Sequence, residues 1–248
     1  MDFEKFPPGN TGMGNAPPET VAIHQPNFIP WIGYFYKWQN SDLFVFLDDT
    51  PFTKGGYTNR VKIKSPNGEQ WLTVPVKTKG KLGQLIKDVE INNDTDWRRQ
   101  ILGSIRASYG RAPYFKNTFE GFEEIVSLKA DRLIDLNLAA LQWASRALRI
   151  ATAAISSSQI PRGEETATER LLSICLSLGA RKYLSGFGGN KYQDEEVFRK
   201  GKIELATSNF RHPRYPQMWG DFFPGLSILD LIFNCGPESR EIIIKSGE

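Results

Sequence analysis

Two histidines, two cysteines and a few polar residues that close apolar runs carry the chemistry open to this chain. His24 stands in IHQPNFIPWIGYFYKW, after the apolar run 21–23 and before an aromatic stretch that can form a helix. A neutral imidazole there can bond an oxyanion or move a proton. A helix start beside it, with unpaired N–H groups, would favour an anion. Gln25 is presented by the same loop. Asp48 and Asp49 end the run LFVFL; one of them could act as a base or orient an amine or a sugar hydroxyl. Adjacent strand residues face opposite sides, so one of the two should face a site, with Asp48 preferred. Asn59 and Arg60 follow a Gly-Gly-Tyr loop, and a guanidinium there suits a phosphate or carboxylate. Lys62 and Lys64 read as a solvated hairpin face.

Ser185, Gly186, Gly188 and Gly189 lie in SGFGGNKY, between a predicted strand and a helix. Such a loop can bring backbone N–H groups to a phosphate, although its spacing is neither the P-loop nor the dinucleotide pattern, and a plain tight turn fits equally. His212, Tyr215 and Trp219 in NFRHPRYPQMWG could line a pocket for a sugar or base, or simply pack a surface loop. Cys235 sits where one helix ends and another begins. The first would raise its thiol pKa and the second lower it, leaving an acyl-carrying nucleophile and a small structural residue both open. Cys175 falls on an apolar stripe and reads as core. Without short His/Cys ligand spacing, no structural zinc site and no required metal are evident.

The elements that must position these groups follow from periodicity. Residues 21–23 and 42–49 read as strands buried on both faces, joined through a loop and a helix over 31–39: a βαβ unit with a right-handed crossover. Residues 57–64 and 69–77 flank SPNG as a β-hairpin with an Asn-Gly turn. Helices are predicted over 96–110, 114–125 and 130–150. A polar connection of small residues spans 151–162. A helix over 166–180 opens on a capping box of Thr166 and Glu169 and stops at Gly179. Strands at 181–186 and 203–210 flank a helix at 194–199. A helix from Ser227, with Ser227 and Asp230 as a second capping box, stops at Asn234-Cys235-Gly236-Pro237, and a last helix follows.

The expected fold is α/β: a mostly parallel, Rossmann-like sheet flanked by helices, with an inserted hairpin and helical lid over about 51–150. Residues 1–20 read as a flexible leader and 21–248 as a single domain. In such sheets ligands bind at the carboxyl ends of the strands, where His24, Asp48 and Ser185 fall. The 248 residues carry a net charge of +3 and 40% apolar residues, so a real core is expected and nothing in the balance calls for nucleic acid. No uncharged apolar run reaches the roughly 20 residues of a membrane span. The first twenty residues lack the apolar core and basic start of a secretory signal, which with two distant cysteines suggests a reduced, cytoplasmic setting.

The strand, Pro-aromatic loop and helix loosely resemble the HxGH-type nucleotidylyltransferases and pantothenate synthetases. Ile32-Gly33-Tyr34 stands where their Gly-His would be, and Tyr34 in place of the second histidine counts against ATP cleavage. Over nearly all of 21–244 the chain resembles the WbqC-like family, through IHQPNFIPWIGYF, SDLFVFLDD, NRVKIKSPNGEQWLTVPV, ASYGRAPYF, ERLLSICLSLGA, YLSGFGGNKYQDEEVF, HPRYPQ and LSILDLIFNCGPES, in the family's order. It departs at Thr50-Pro51, where members tend to carry Val-Gln, and at Gly55-Gly56, where a bulkier pair is usual. The family is associated with O-antigen and other surface-polysaccharide gene clusters. That resemblance implies an acyl- or aminoacyl-transferase forming an amide on an amine-bearing, nucleotide-linked amino sugar or another small amine. Its donor would be a thioester on coenzyme A or on an acyl or peptidyl carrier protein. Alternatives are an ATP-dependent ligase or nucleotidylyltransferase, and a non-catalytic module binding sugar nucleotides or a carrier protein.

Overall fold

The computed structural model describes residues 16–161, 163, 167–186 and 193–247. The expected leader, except for residues 16–20, and Thr166 of the first capping box lie outside these. Five strands form one parallel sheet: β1 (Thr20–His24), β2 (Leu43–Phe46), β5 (Ala153–Ser156), β6 (Lys182–Ser185) and β7 (Glu204–Thr207). Their spatial order is β5-β2-β1-β6-β7. From β1 the chain winds outward through β2 to β5, then returns to the other side of β1 for β6 and β7. The winding therefore reverses between β1 and β6, which is where such sheets open a crevice.

Alternation along each strand explains why both faces are covered. Ala22, Phe44 and Phe46 face one apolar cluster, while Val21, Ile23, Leu43 and Val45 face another. The first is packed by α1 (Ile32–Gln39) and α7 (Ile228–Cys235), the second by α5 (Ala167–Ser177) and α6 (Glu195–Lys200). The central segments 21–23 and 43–46 are thus apolar on both faces, as a doubly covered parallel sheet requires.

Between β2 and β5 the chain forms the hairpin β3 (Arg60–Ser65) and β4 (Gly68–Thr73), then α2 (Trp97–Tyr109), α3 (Phe115–Val126) and α4 (Leu133–Ala147). Val61, Ile105, Phe122 and Leu136 share the first apolar cluster with Phe35 and Phe44, so hairpin and helices are continuous with the core of the sheet. A short α8 (Ser239–Ile244) closes the chain.

Four local expectations change. Residues 153–156, expected as part of a connection, form the edge strand β5, which pairs with β2 from Leu43↔Ala153 to Phe46↔Ser156. The hairpin closes on Ser65↔Gly68, so Pro66 and Asn67 are the central turn residues, with Gly68 at φ +101° completing the turn. Ser227 caps α7, its Oγ accepting from Leu229 N at 3.3 Å, but Asp230 does not complete a capping box: the Ser227 N–H donates to Lys62 O at 2.8 Å. Lys64, expected on a solvated face, is 1% exposed because the 217–223 segment covers it. Gly179 ends α5 as expected, at φ +68°.

Candidate functional site

The carboxyl end of β1 lies where the winding reverses. The pairing Ala22↔Leu184, continued two residues along parallel strands, sets His24 beside Gly186. His24 is half-buried, with its ring 4.7 Å from the Tyr34 ring on α1. Its Nδ1 lies 3.1 Å from Gln25 O. A carbonyl only accepts, so Nδ1 carries the hydrogen and Nε2 holds the lone pair of a neutral ring. Burial first, and then the nearby Lys37 ammonium, push the His24 pKa down to about 3. Nε2 has no partner among the described residues. In this tautomer it offers an acceptor, so His24 suits an N–H or O–H of a ligand better than the oxyanion expected from sequence.

Lys37, on the sheet-facing side of α1, is 4% exposed. Its Nζ donates to Ile23 O at 2.7 Å and lies 6.0 Å from the Phe44 ring centroid. His24 O accepts from Leu47 N on the β2 side at 2.8 Å. Carbonyls of successive strand residues point opposite ways, so Ile23 O, and Nζ with it, lies on the β6 side. No carboxylate pairs with Lys37 among the described residues, and burial lowers its pKa to about 7. Sequence reasoning missed this residue. Its signal was a lysine one turn beyond Tyr34 in a helix whose every neighbour is aromatic or apolar.

Across the crevice Ser185 is fully buried, its Oγ 2.7 Å from Gln193 Oε1 and 3.2 Å from Gly186 O. Gln193 in turn donates from Nε2 to the Tyr183 hydroxyl at 3.2 Å. Gly188 and Gly189 lie outside the described residues.

The loop from Gln25 to Trp31 is tied down on two sides. Asn137 of α4 donates from Nδ2 to Pro26 O at 2.7 Å and to Thr58 O at 2.8 Å, which joins this loop to the one before β3. Ser227 Oγ donates to Ile29 O at 2.8 Å and Ile228 N to Pro30 O at 2.8 Å, so the start of α7 docks on it. Ile29 holds φ +43°, unusual for a β-branched residue, and these contacts hold it there. The expected anion site at the start of α1 is altered: Trp31 makes no capping side-chain bond and lays its indole against Gly33, where a Cβ would meet it at 2.5 Å.

Asn59 donates from Nδ2 to Val74 O at 2.9 Å, and its buried Oδ1 has no partner among the described residues. Arg60 turns toward the hairpin: its guanidinium lies 4.2 Å from the Trp71 ring and donates to Gly55 O. No described contact brings Arg60 to His24. His24 ends β1 and Arg60 begins β3, and the two share no contact among the described residues.

Asp48 and Asp49 lie at the tip of β2 and are consumed by structure. Asp48 Oδ1 accepts from Ser158 N at 2.9 Å and Oδ2 from Ser158 Oγ at 2.7 Å. Ser157 Oγ sits 3.0 Å from Asp48 Oδ1 and 2.5 Å from Asp49 Oδ1. Asp49 Oδ2 pairs with Arg170 of α5 at 2.8 Å, a bridge whose two side chains are 4% and 3% exposed. Asp49 also borders a cleft of about 520 Å³ lined by Leu85, Lys87 and Ser158. Asp48 has both oxygens engaged by the 157–158 turn, which takes it out of the role of a free base.

The C-terminal candidates form a separate buried group. His212 has both nitrogens on main chain: Nδ1 donates to Pro213 O at 3.0 Å and Nε2 accepts from Gly225 N at 2.8 Å. It packs between Trp31 and Tyr215, and burial lowers its pKa, so it braces the 210–225 segment rather than acting on a substrate. Tyr215 is buried and faces Asp230; burial, then that carboxylate, raises its phenol pKa. Cys235 is 4% exposed, and burial, then Asp230 and Glu238, push its thiol up to about 12. Such a thiol is not the thiolate an acyl carrier needs at neutral pH, and no described contact joins it to His24.

Asp230, which sequence reasoning assigned to a cap, accepts from Tyr109 OH at 3.0 Å, and burial raises its pKa to about 6. Tyr109 in turn accepts from Lys64 N at 3.0 Å. The signal was an acid inside the apolar run SILDLIF. Among the described residues no group of three His, Cys, Asp or Glu is arranged to hold a metal ion, and no helix is long and apolar enough to cross a membrane.

The family model for the WbqC-like protein family matches residues 25–242. A protein of Mycobacterium tuberculosis described as "Uncharacterized protein Rv1507c" is 35% identical over 225 residues, covering 90% of this chain and 96% of that protein. No solved structure matches the chain.

Proposed function

This chain belongs to the WbqC-like protein family, and within that membership we propose that it transfers an acyl or aminoacyl group onto an amine-bearing acceptor. The acceptor class is a nucleotide-linked amino sugar of glycan or natural-product biosynthesis. The donor class is a thioester on coenzyme A or a carrier protein. One observation carries the reading: a neutral imidazole at the topological switch point, with Nδ1 occupied by Gln25 O and no partner for the Nε2 lone pair among the described residues.

The amine nitrogen attacks the thioester carbon, the C–N bond forms, and the C–S bond breaks as the tetrahedral intermediate collapses. His24 Nε2 takes the proton that the amine must lose and returns it to the departing thiolate. The nitrogen becomes more acidic once it bonds to carbon, which lowers the basicity that His24 must supply. Direct transfer is favoured over a Cys235 acyl-enzyme, because burial keeps that thiol protonated. The family's association with surface-polysaccharide gene clusters supports the acceptor class.

The test is incubation of the chain with acyl thioesters and a panel of nucleotide-linked amino sugars, with the amide detected by mass spectrometry. His24→Ala should lower turnover by about 10²- to 10⁴-fold, while intact mass shows no acyl adduct on Cys235. Product formation that survives His24→Ala would sink the reading. A binding module without turnover is the second reading, favoured by how far the basicity of His24 is depressed. It predicts ligand-induced thermal shifts that His24→Ala weakens, with no amide from any pair. Pyrophosphate release that requires magnesium and ATP would instead mark a ligase.

A further inference from the structure

We infer that Lys37 Nζ is the cationic floor of the crevice between β1 and β6 and receives a phosphoryl group of the ligand. The inference rests on the reading that this crevice is the ligand site. Lys37 is a buried lysine with one hydrogen bond among the described residues, to Ile23 O at 2.7 Å, on the β6 side of β1. An ammonium has three donors, so two remain. Burying an ammonium without a counter-charge is unfavourable, and a methionine of similar length would pack the same space more cheaply. No described carboxylate supplies that charge. An anionic ligand would.

The neighbouring groups divide the work. His24 Nε2 presents a lone pair, which repels an oxyanion and accepts an N–H. Lys37, once protonated, presents only donors. An anion therefore belongs at Lys37 and an amine or hydroxyl at His24, so the ligand carries both, as a phosphorylated or nucleotide-linked amine does. A compact ammonium suits a phosphoryl group as a point charge, whereas a planar carboxylate favours the fork of an arginine.

The experiment is calorimetric titration and thermal denaturation of the full chain with inorganic pyrophosphate and, separately, with uridine diphosphate. It compares wild type with Lys37→Met and Lys37→Gln. Lys37→Gln can still donate to Ile23 O but carries no charge. We expect both variants to weaken binding by about 10- to 100-fold, the worth of a hydrogen bond to a charged group, and Lys37→Met to melt no lower than wild type without ligand. Equal effects on the two probes identify the phosphoryl group alone as the recognised unit. An effect confined to uridine diphosphate means the nucleoside is needed as well, and still supports Lys37. Affinity for both probes within twofold of wild type in either variant overturns the inference, as does a wild type that binds neither probe. Lys37-dependent pyrophosphate binding without amide formation from any donor would sink the transferase reading and leave this one standing.

Discussion

The tips of β2 and β5 and the tips of β1 and β6 lie side by side along one edge of the same sheet, yet they use their polar groups in opposite ways. At β2 and β5, Asp48, Asp49, Ser157, Ser158 and Arg170 bond one another. At β1 and β6, among the described residues, His24 Nε2 has no partner and Lys37 makes one hydrogen bond. Polar groups that bond one another in this way hold a fold together, as the buried Asp49–Arg170 pair does here. A polar group held in place with capacity to spare is what a ligand can use. By that measure the pair of aspartates, conspicuous in sequence, belongs to the scaffold, and the lysine hidden in an aromatic helix belongs to the candidate site.

The comparison breaks most readily at Arg170. Arg170→Ala strands the Asp49 carboxylate in the core and should cost about 3–5 kcal/mol in urea denaturation. A loss below about 1 kcal/mol would mean that the β2–β5 network is not structural. Asp48→Ala removes an acceptor of three hydrogen bonds, leaves Ser158 N unpaired, and should cost about 1–3 kcal/mol.

At the switch point the effect on stability should be smallest near neutral pH. His24→Gln gives up one bond to a carbonyl, worth about 1 kcal/mol or less. Its signature appears in acid. The folded pKa of His24, about 3, lies below its ordinary 6.5, so the fold prefers the neutral ring. The stability this confers is complete above 6.5 and drains away as pH falls toward 3. His24→Gln should flatten that part of the stability–pH curve; an unchanged slope would show that the ring is already solvated.

Much of the fold was legible because its elements are periodic. Val21–Ile23 and Leu43–Phe46 are apolar on both faces and could be read as central parallel strands. Asp194, whose side chain accepts from Glu196 N at 2.9 Å, marks the start of α6. β5 was not legible: Ala153 to Ser156 are small residues with no strand signature, and their pairing with β2 is what extends them. Lys64 alternates with Ile63 on a hairpin and so reads as solvated, until the 217–223 segment folds over it.

Chain order alone therefore determined the α/β class, the winding of apolar strands about helices, and the placement of His24 and Ser185 at strand ends. Those features repeat at short range, where side-chain period and turn chemistry act. Tertiary structure alone decided which of the polar groups are spent. Asp48 meets Ser158, and His212 meets Gly225, only after distant segments dock, and Lys37 becomes a buried lysine with no carboxylate partner among the described residues only when α1 closes on the sheet. Burial and hydrogen-bond partnership are set by what comes to lie beside a residue in space, and no local pattern encodes that.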